Sequence, residues 1–149
     1  MQPKIYLDTN VFIYAFEGDP NEVRHLLIFF EFLQFHDGLA MTSELTLAEL
    51  FASSREHHHS RRIVYENLLI GEEFIELRPV TRSILIETAD LRKQHRLKLP
   101  DAIHAVTALQ GQRRYFLSAD RDGRRLPGEM MHVQPTAEGI QNVMESLRA

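Results

Sequence analysis

The sequence predicts an α/β protein with a central, mostly parallel sheet of four or five strands and helices on both of its faces. Two observations predict it. Short strand-like runs alternate with longer helical ones along the chain, the order that builds a parallel sheet. The opening run, Lys4-Ile5-Tyr6-Leu7-Asp8-Thr9-Asn10, is apolar and stops abruptly in an acid, a hydroxyl and an amide. A buried strand that ends this way delivers Asp8 to the carboxyl edge of the sheet, where open α/β sheets bind their ligands.

The elements follow in order. Gly18-Asp19-Pro20-Asn21 reads as a turn and helix start. Val23, Leu26, Leu27, Phe30 and Leu33 then recur at helical spacing. Ile28, Phe29, Phe32 and Phe35 carry the apolar surface almost all the way round, more than one core-facing stripe requires. Part of this helix is therefore expected in an interface, with a second copy of the chain or with another protein. Asp37-Gly38 ends it. Leu39-Ala40-Met41-Thr42 is a second strand, and Ser43 is placed to cap the next helix, which carries Glu49 beside a stripe of Leu47, Leu50 and Phe51. Residues 61–70 form a further amphipathic helix closed by Gly71, and residues 73–77 alternate as a third strand. Thr81 caps a helix with Ile84, Leu85, Thr88 and Leu91 on one face. After a basic stretch, residues 92–98, Pro100 suits a first helical turn and sets Asp101 near the start of a helix that ends at Gly111. Residues 114–117 are a fourth strand, followed by the polar loop Ser118-Ala119-Asp120-Arg121-Asp122-Gly123. Residues 131–134 are a weaker fifth strand, and Thr136 caps a last helix with Ile140, Val143, Met144 and Leu147 inward.

The 149 residues suffice for one domain with a real core, and no internal repeat or low-complexity tract divides them. There are no cysteines, which removes disulfides, zinc–thiolate sites and cysteine nucleophiles together and fits a reducing cytoplasm. The start lacks a signal-peptide core, and no apolar run is long enough to span a bilayer; the longest, residues 26–35, is broken by Glu31 and Gln34. The net charge of −4 is not that of a bulk nucleic-acid binder. Setting aside Asp8, Glu49, Asp101 and Asp120 leaves 17 acids against 17 bases, as an acidic pocket on a balanced surface would. Fourteen of the bases are arginine, which grips phosphate bidentately.

Those four acids fall after strands, at a helix start or on a helix face. Carboxylates from separate elements are what a hydrated Mg²⁺ takes, since it binds a few acids and keeps several waters. One or two such ions would let a protein hydrolyse a phosphodiester, by activating water and neutralising the leaving oxygen. Tyr6-Leu7-Asp8-Thr9-Asn10-Val11, Ser43-Glu44-Leu45-Thr46-Leu47-Ala48-Glu49-Leu50, Leu99-Pro100-Asp101-Ala102-Ile103-His104-Ala105 and Leu117-Ser118-Ala119-Asp120-Arg121-Asp122 together resemble PIN-domain ribonucleases, in the family's order and over nearly the whole chain. The closest group is similar to the VapC toxins of bacterial toxin–antitoxin pairs. The resemblance implies a three-layer α/β/α fold, Mg²⁺- or Mn²⁺-dependent endonuclease activity on RNA, and an antitoxin partner. It makes Asp8, Glu49, Asp101 and Asp120 the four metal-binding and catalytic acids. The loop departs from the family, reading Asp122-Gly123-Arg124 where an aromatic is usual, so Asp122 stands as a substitute for Asp120.

Around the acids, Asn10 and Ser118 are placed to orient a carboxylate or bound water, or to satisfy loop backbone. Arg121, Arg124 and Arg125 lie nearest Asp120 and are the first candidates for RNA phosphates, ahead of Arg55, Arg61 and Arg62. His104, three residues after Asp101, is expected to be a surface or half-buried histidine. His57-His58-His59 lacks an evident partner ligand, and consecutive helical residues point apart. Two rival readings remain: a PIN-type nuclease for RNA processing or DNA without an antitoxin, and a PIN-like binding module without cleavage, which retention of all four acids disfavours.

Overall fold

The computed structural model describes residues 4–53, 58–120 and 126–148. Five strands, β1 (Ile5–Leu7), β2 (Ala40–Ser43), β3 (Ile75–Arg78), β4 (Tyr115–Leu117) and β5 (Met131–Val133), form one sheet in the order β3-β2-β1-β4-β5. Every neighbouring pair is parallel. β1 lies at the centre, and its three residues are all buried. A strand covered on both faces reads as a continuous apolar run rather than an alternating one.

The pleat sends alternate residues to two cores. Ile5, Leu7, Tyr115 and Leu117 face the larger one, with side chains from α1 (Thr9–Glu17), α2 (Arg24–Gln34), α3 (Leu45–Ser53), α4 (His58–Glu66) and α7 (Ala137–Arg148). Tyr6, Met41 and Phe116 face the other side against Ala108 of α6 (Leu99–Gln110). Tyr6 and Phe116 are partners in register, and their rings stack 5.2 Å apart. α6 packs in turn on α5 (Arg82–Gln94) through Ile84, Leu91, Ala102, Ile103 and Val106. The result is the α/β/α sandwich expected.

The boundaries follow local chemistry. Thr81 accepts a hydrogen bond from Ile84 N at the start of α5, and Thr136 accepts one from Gly139 N at the start of α7. Gly38 ends the α2 connection at φ +85°, a conformation that favours glycine. Three features differ from the sequence expectation. Helix α1 was not anticipated: its turn signal is Asp8 itself, which caps it, and Val11, Phe12 and Ala15 fill its buried side. The helix expected over residues 61–70 is α4 followed by a π-helical turn, Asn67–Gly71. Leu85 is 48% exposed, because Ile84, Thr88 and Leu91 alone satisfy the inner stripe of α5. Among the described residues no helix is long and apolar enough to cross a membrane.

Candidate functional site

The site is built where β1 and β4 end. Asp8 leaves β1 in an extended conformation and caps α1, accepting from Thr9 N at 2.8 Å through Oδ1. Its other oxygen accepts from Ser118 Oγ at 2.7 Å, one residue past the end of β4. Ser118 Oγ also accepts from Asp120 N at 3.0 Å and from Asn10 Nδ2 at 3.3 Å. Asn10 closes the loop by accepting from Ala119 N at 3.1 Å. From behind, His132 Nε2 donates to the Ser118 carbonyl at 2.8 Å. Asn10 and Ser118 thus do what their residue types allowed. They fix the Asp8 carboxylate and the backbone that carries Asp120.

A second network fixes Glu49 on α3. Thr9 Oγ1 donates to Glu49 Oε1 at 2.9 Å, and His104 Nε2 donates to the same oxygen at 2.6 Å. A carboxylate only accepts, so Nε2 carries a proton, and on the other side of the ring Nδ1 lies 2.6 Å from the Tyr6 hydroxyl in a second hydrogen bond. Below them Thr42 Oγ1 donates to Leu7 O at 2.7 Å and pairs with Thr46 Oγ1 at 2.8 Å, tying α3 to the strands. Burial, aided by the charge of Asp8, pushes the Tyr6 hydroxyl well above its usual range and keeps its proton. Burial also pushes Glu49 up, but the His104 hydrogen bond and charge, together with Thr9, outweigh it and hold Glu49 below the usual carboxylate range.

Against expectation His104 is 1% exposed. It is the hub joining strand β1, helix α3 and helix α6, and its Nε2 lies 3.7 Å from Asp8 Oδ1. The signal was in the sequence: α6 is buried from Ala102 to Ala108, and a histidine in such a run must find a polar partner. The buried Tyr6 of the central strand is that partner.

Asp101 sits in the first turn of α6 and is partly buried. Among the described residues no hydrogen bond reaches its side chain. Burial raises it above the usual carboxylate range, and the charges of Asp8 and Asp120 raise it further, opposed by His104 and Lys98. That mutual influence brings three of the four sequence candidates into one electrostatic neighbourhood, with Asp120 exposed at its rim. Glu49 joins through His104. Among the described residues no three His, Asp or Glu side chains are arranged so that they could together hold a metal ion. Asp122, Arg121, Arg124, Arg125 and Arg55 lie outside the described residues, as do the side chains of His57, His58 and His59. Arg61 and Arg62 are engaged by Glu17 at 2.8 Å and Glu66 at 3.0 Å.

A family model described as PIN domain matches residues 5–129. No curated protein sequence matches significantly. Among solved structures, the DNA-bound VapBC complex from Salmonella typhimurium superposes with a TM-score of 0.68 at 20% identity, over 89% of this chain and 98% of that one. VapBC2 from Rickettsia felis bound to a DNA fragment from its promoter gives 0.65 at 16%, over 87% and 97%. A toxin–antitoxin complex from Klebsiella pneumoniae gives 0.64 at 22%, over 89% and 98%. At these identities the likeness is one of fold.

Proposed function

The chain belongs to the PIN-domain family, and from that premise we propose that it is a metal-dependent endoribonuclease, one nuclease domain acting as the toxin of a toxin–antitoxin pair. The observation that carries the reading is that Ser118 holds both the Asp8 carboxylate and the backbone of Asp120 at the carboxyl edge of the sheet, with Asp101 near enough to be raised by both acids. Clustered carboxylates repel one another unless a cation joins them. The donors are all oxygens and the chain has no cysteine, a set that suits Mg²⁺ or Mn²⁺. An Mg²⁺ ion retains several waters, so it does not require a complete protein cage.

Asp8, Asp101, Asp120 and Glu49 would hold the one or two ions. A bound ion supplies Lewis acidity and a water of lowered pKa. The protein's own part is positioning. Ser118 and Thr9 N present Asp8 in one orientation. Thr9 and His104 both engage Oε1 of Glu49 and hold that carboxylate on α3. Asn10 and Ser118 hold the loop from which Asp120 projects.

One of the three solved structures is a toxin–antitoxin complex by description and the other two are DNA-bound VapBC complexes, which supports an antitoxin partner. A cleft of about 540 Å³ between α2, α4 and the π-helical turn supports a protein partner too; Phe16, Leu27, Phe30, Phe35, Val64 and Leu68 are among its lining residues. Phe35 is 79% exposed there. We place an antitoxin or a second copy of the chain on this face. Light scattering on the chain alone and with the product of a neighbouring gene tests it, and a monodisperse monomer that ignores that product counts against both forms. For the activity, purified protein is expected to cleave single-stranded RNA with Mg²⁺ or Mn²⁺, and to stop with EDTA or on Asp8→Asn. Cleavage undiminished by exhaustive chelation rules the mechanism out.

A further inference from the structure

We infer that the turn between α5 and α6 is a phosphate-binding cleft that holds the RNA backbone beside the acids, an inference that rests on the nuclease reading above. A cleft of about 450 Å³ is lined there by Arg92, Arg96, Leu97 and Lys98, three cations and no acid. All three charged residues are exposed. The Arg92 guanidinium donates through Nε to the Leu97 carbonyl at 3.2 Å, which fixes the turn.

The helix dipole accounts for part of this charge. Arg92 and Lys93 lie in the last turn of α5, where a cation is favoured. Lys98 stands at the opposite kind of helix end. It occupies the N-cap of α6, the end at which the dipole disfavours a cation. It makes no side-chain cap hydrogen bond, so it does not serve the helix as Ser, Thr, Asp or Asn would. Asp101, three residues on, attracts this charge, but with Arg92 and Arg96 beside it the cleft still gathers more cations than that one acid offsets. The helix N-terminus itself favours an anionic ligand.

The position suits a polyanionic substrate. Lys98 is three residues from Asp101, about 4.5 Å along the helix axis, and its charge already reaches the Asp101 carboxylate. Four acids repel RNA, and the chain is net negative. Ground-state binding must come from cations beside the acids, and this cleft lies on their border. Its ligand class is a phosphodiester of single-stranded RNA, gripped through charge and not through bases.

The test uses the Asp8→Asn chain in EDTA, which leaves its probe uncut, titrated with a short labelled single-stranded RNA of mixed sequence across a salt series. Each phosphate contact contributes about −0.7 to the slope of log K against log salt. Adding Arg92→Gln and Lys98→Gln is expected to flatten the slope by about 1.4 and to weaken binding by about tenfold per cation removed. The charge-preserving pair Arg92→Lys and Lys98→Arg is expected to restore the slope. Matching melting temperatures check that all variants fold. If the Gln pair binds with unchanged slope and affinity while its parent binds RNA, the cleft is overturned and the nuclease reading stands. If RNA is neither bound by the Asp8→Asn chain nor cleaved by the wild type with metal, the nuclease reading falls and takes the cleft with it.

Discussion

Glu49 and Asp101 are carboxylates of one candidate site held in opposite ways. Glu49 receives hydrogen bonds from Thr9 and His104 and sits below the usual carboxylate range despite its burial. Asp101 receives none from the described residues and sits above that range, raised by burial and by two neighbouring acids. The fold stabilises the charge on one and only partly offsets the burial and repulsion of the other. Neutral proteins rarely keep a half-buried, repelled carboxylate without cause. On the proposed reading, α3 brings a carboxylate already held by the chain, while α6 brings one that a bound cation would complete.

The largest effects test whether both halves serve the same reaction. Glu49→Gln and Asp101→Asn are each expected to bring RNA cleavage down to the level of the EDTA-treated wild type, because each removes an anionic ligand with little change in volume. Single-turnover cleavage of labelled RNA measures it. If Glu49→Gln cuts as well as wild type while Asp101→Asn does not, Glu49 is a structural partner of His104 and the site has three acids.

Next comes the hub. His104→Ala removes one of the two donors to Glu49 and one hydrogen-bond partner of the buried Tyr6 hydroxyl. Partners that orient metal ligands typically govern about 10–100-fold in affinity, and that is the expected loss in Mn²⁺ binding measured by calorimetry. The same variant should lose about 2–4 kcal/mol of stability through the lost hydrogen bonds and the vacated volume. Tyr6→Phe separates the two roles: it removes only the hydroxyl and should keep metal affinity within a few-fold. Equal losses in both variants would mean that the ring positions nothing. Ser118→Ala probes the Asp8 side in the same way and is expected near the low end of that range, since Thr9 N still holds Asp8.

A parallel sheet of short strands was legible in the sequence, which also named the four acids of the candidate site, and the reasons are physical. A strand buried on both faces is a short apolar run, and Asp8, Asp101 and Asp120 stand at the ends of elements, where change of composition marks them. Helix α1 was hidden because its cap is the same residue that ends β1. His104 was hidden because its partners, Tyr6, Thr9 and Glu49, come from three separate elements, and one-dimensional spacing does not reveal that they meet. Glu49 could be named but not its restraint, for the same reason. Arg121, Arg124 and Arg125 were favoured by nearness in sequence to Asp120, whereas the cleft at Arg92 and Lys98 depends on how α5 turns into α6.

The smallest expected effects are thermal, and they separate the two halves by sign. In EDTA at pH 7, Asp101→Asn should melt higher than wild type, because it removes a charge that the fold repels. The helix dipole opposes this, since an acid in the first turn contributes about 0.3–1 kcal/mol. Repulsion from two acids plus burial should exceed it, for a net gain of about 1–3 °C. Glu49→Gln should melt lower by about 2–4 °C, since it weakens two charge-assisted hydrogen bonds on a partly exposed group. The pH dependence follows from the directions of the shifts. Asp101 has a folded pKa above its unfolded value, so its penalty is complete above the folded pKa and absent below the unfolded one, near 3.9 as a rough reference. The advantage of Asp101→Asn should therefore shrink as pH falls toward about 4. Glu49 has a folded pKa below its unfolded value, so it contributes stability above the unfolded value and loses it as pH falls through the folded one. The Glu49→Gln deficit should accordingly persist to lower pH than the Asp101→Asn gain. Adding Mg²⁺ or Mn²⁺ should then reverse the order of wild type and Asp101→Asn. A ligand that binds only the folded state stabilises by RT ln(1 + [L]/Kd), and the variant should bind it poorly. If Asp101→Asn melts lower in EDTA, gains as much from metal as wild type and still cuts RNA, Asp101 is a helix-start residue and nothing more.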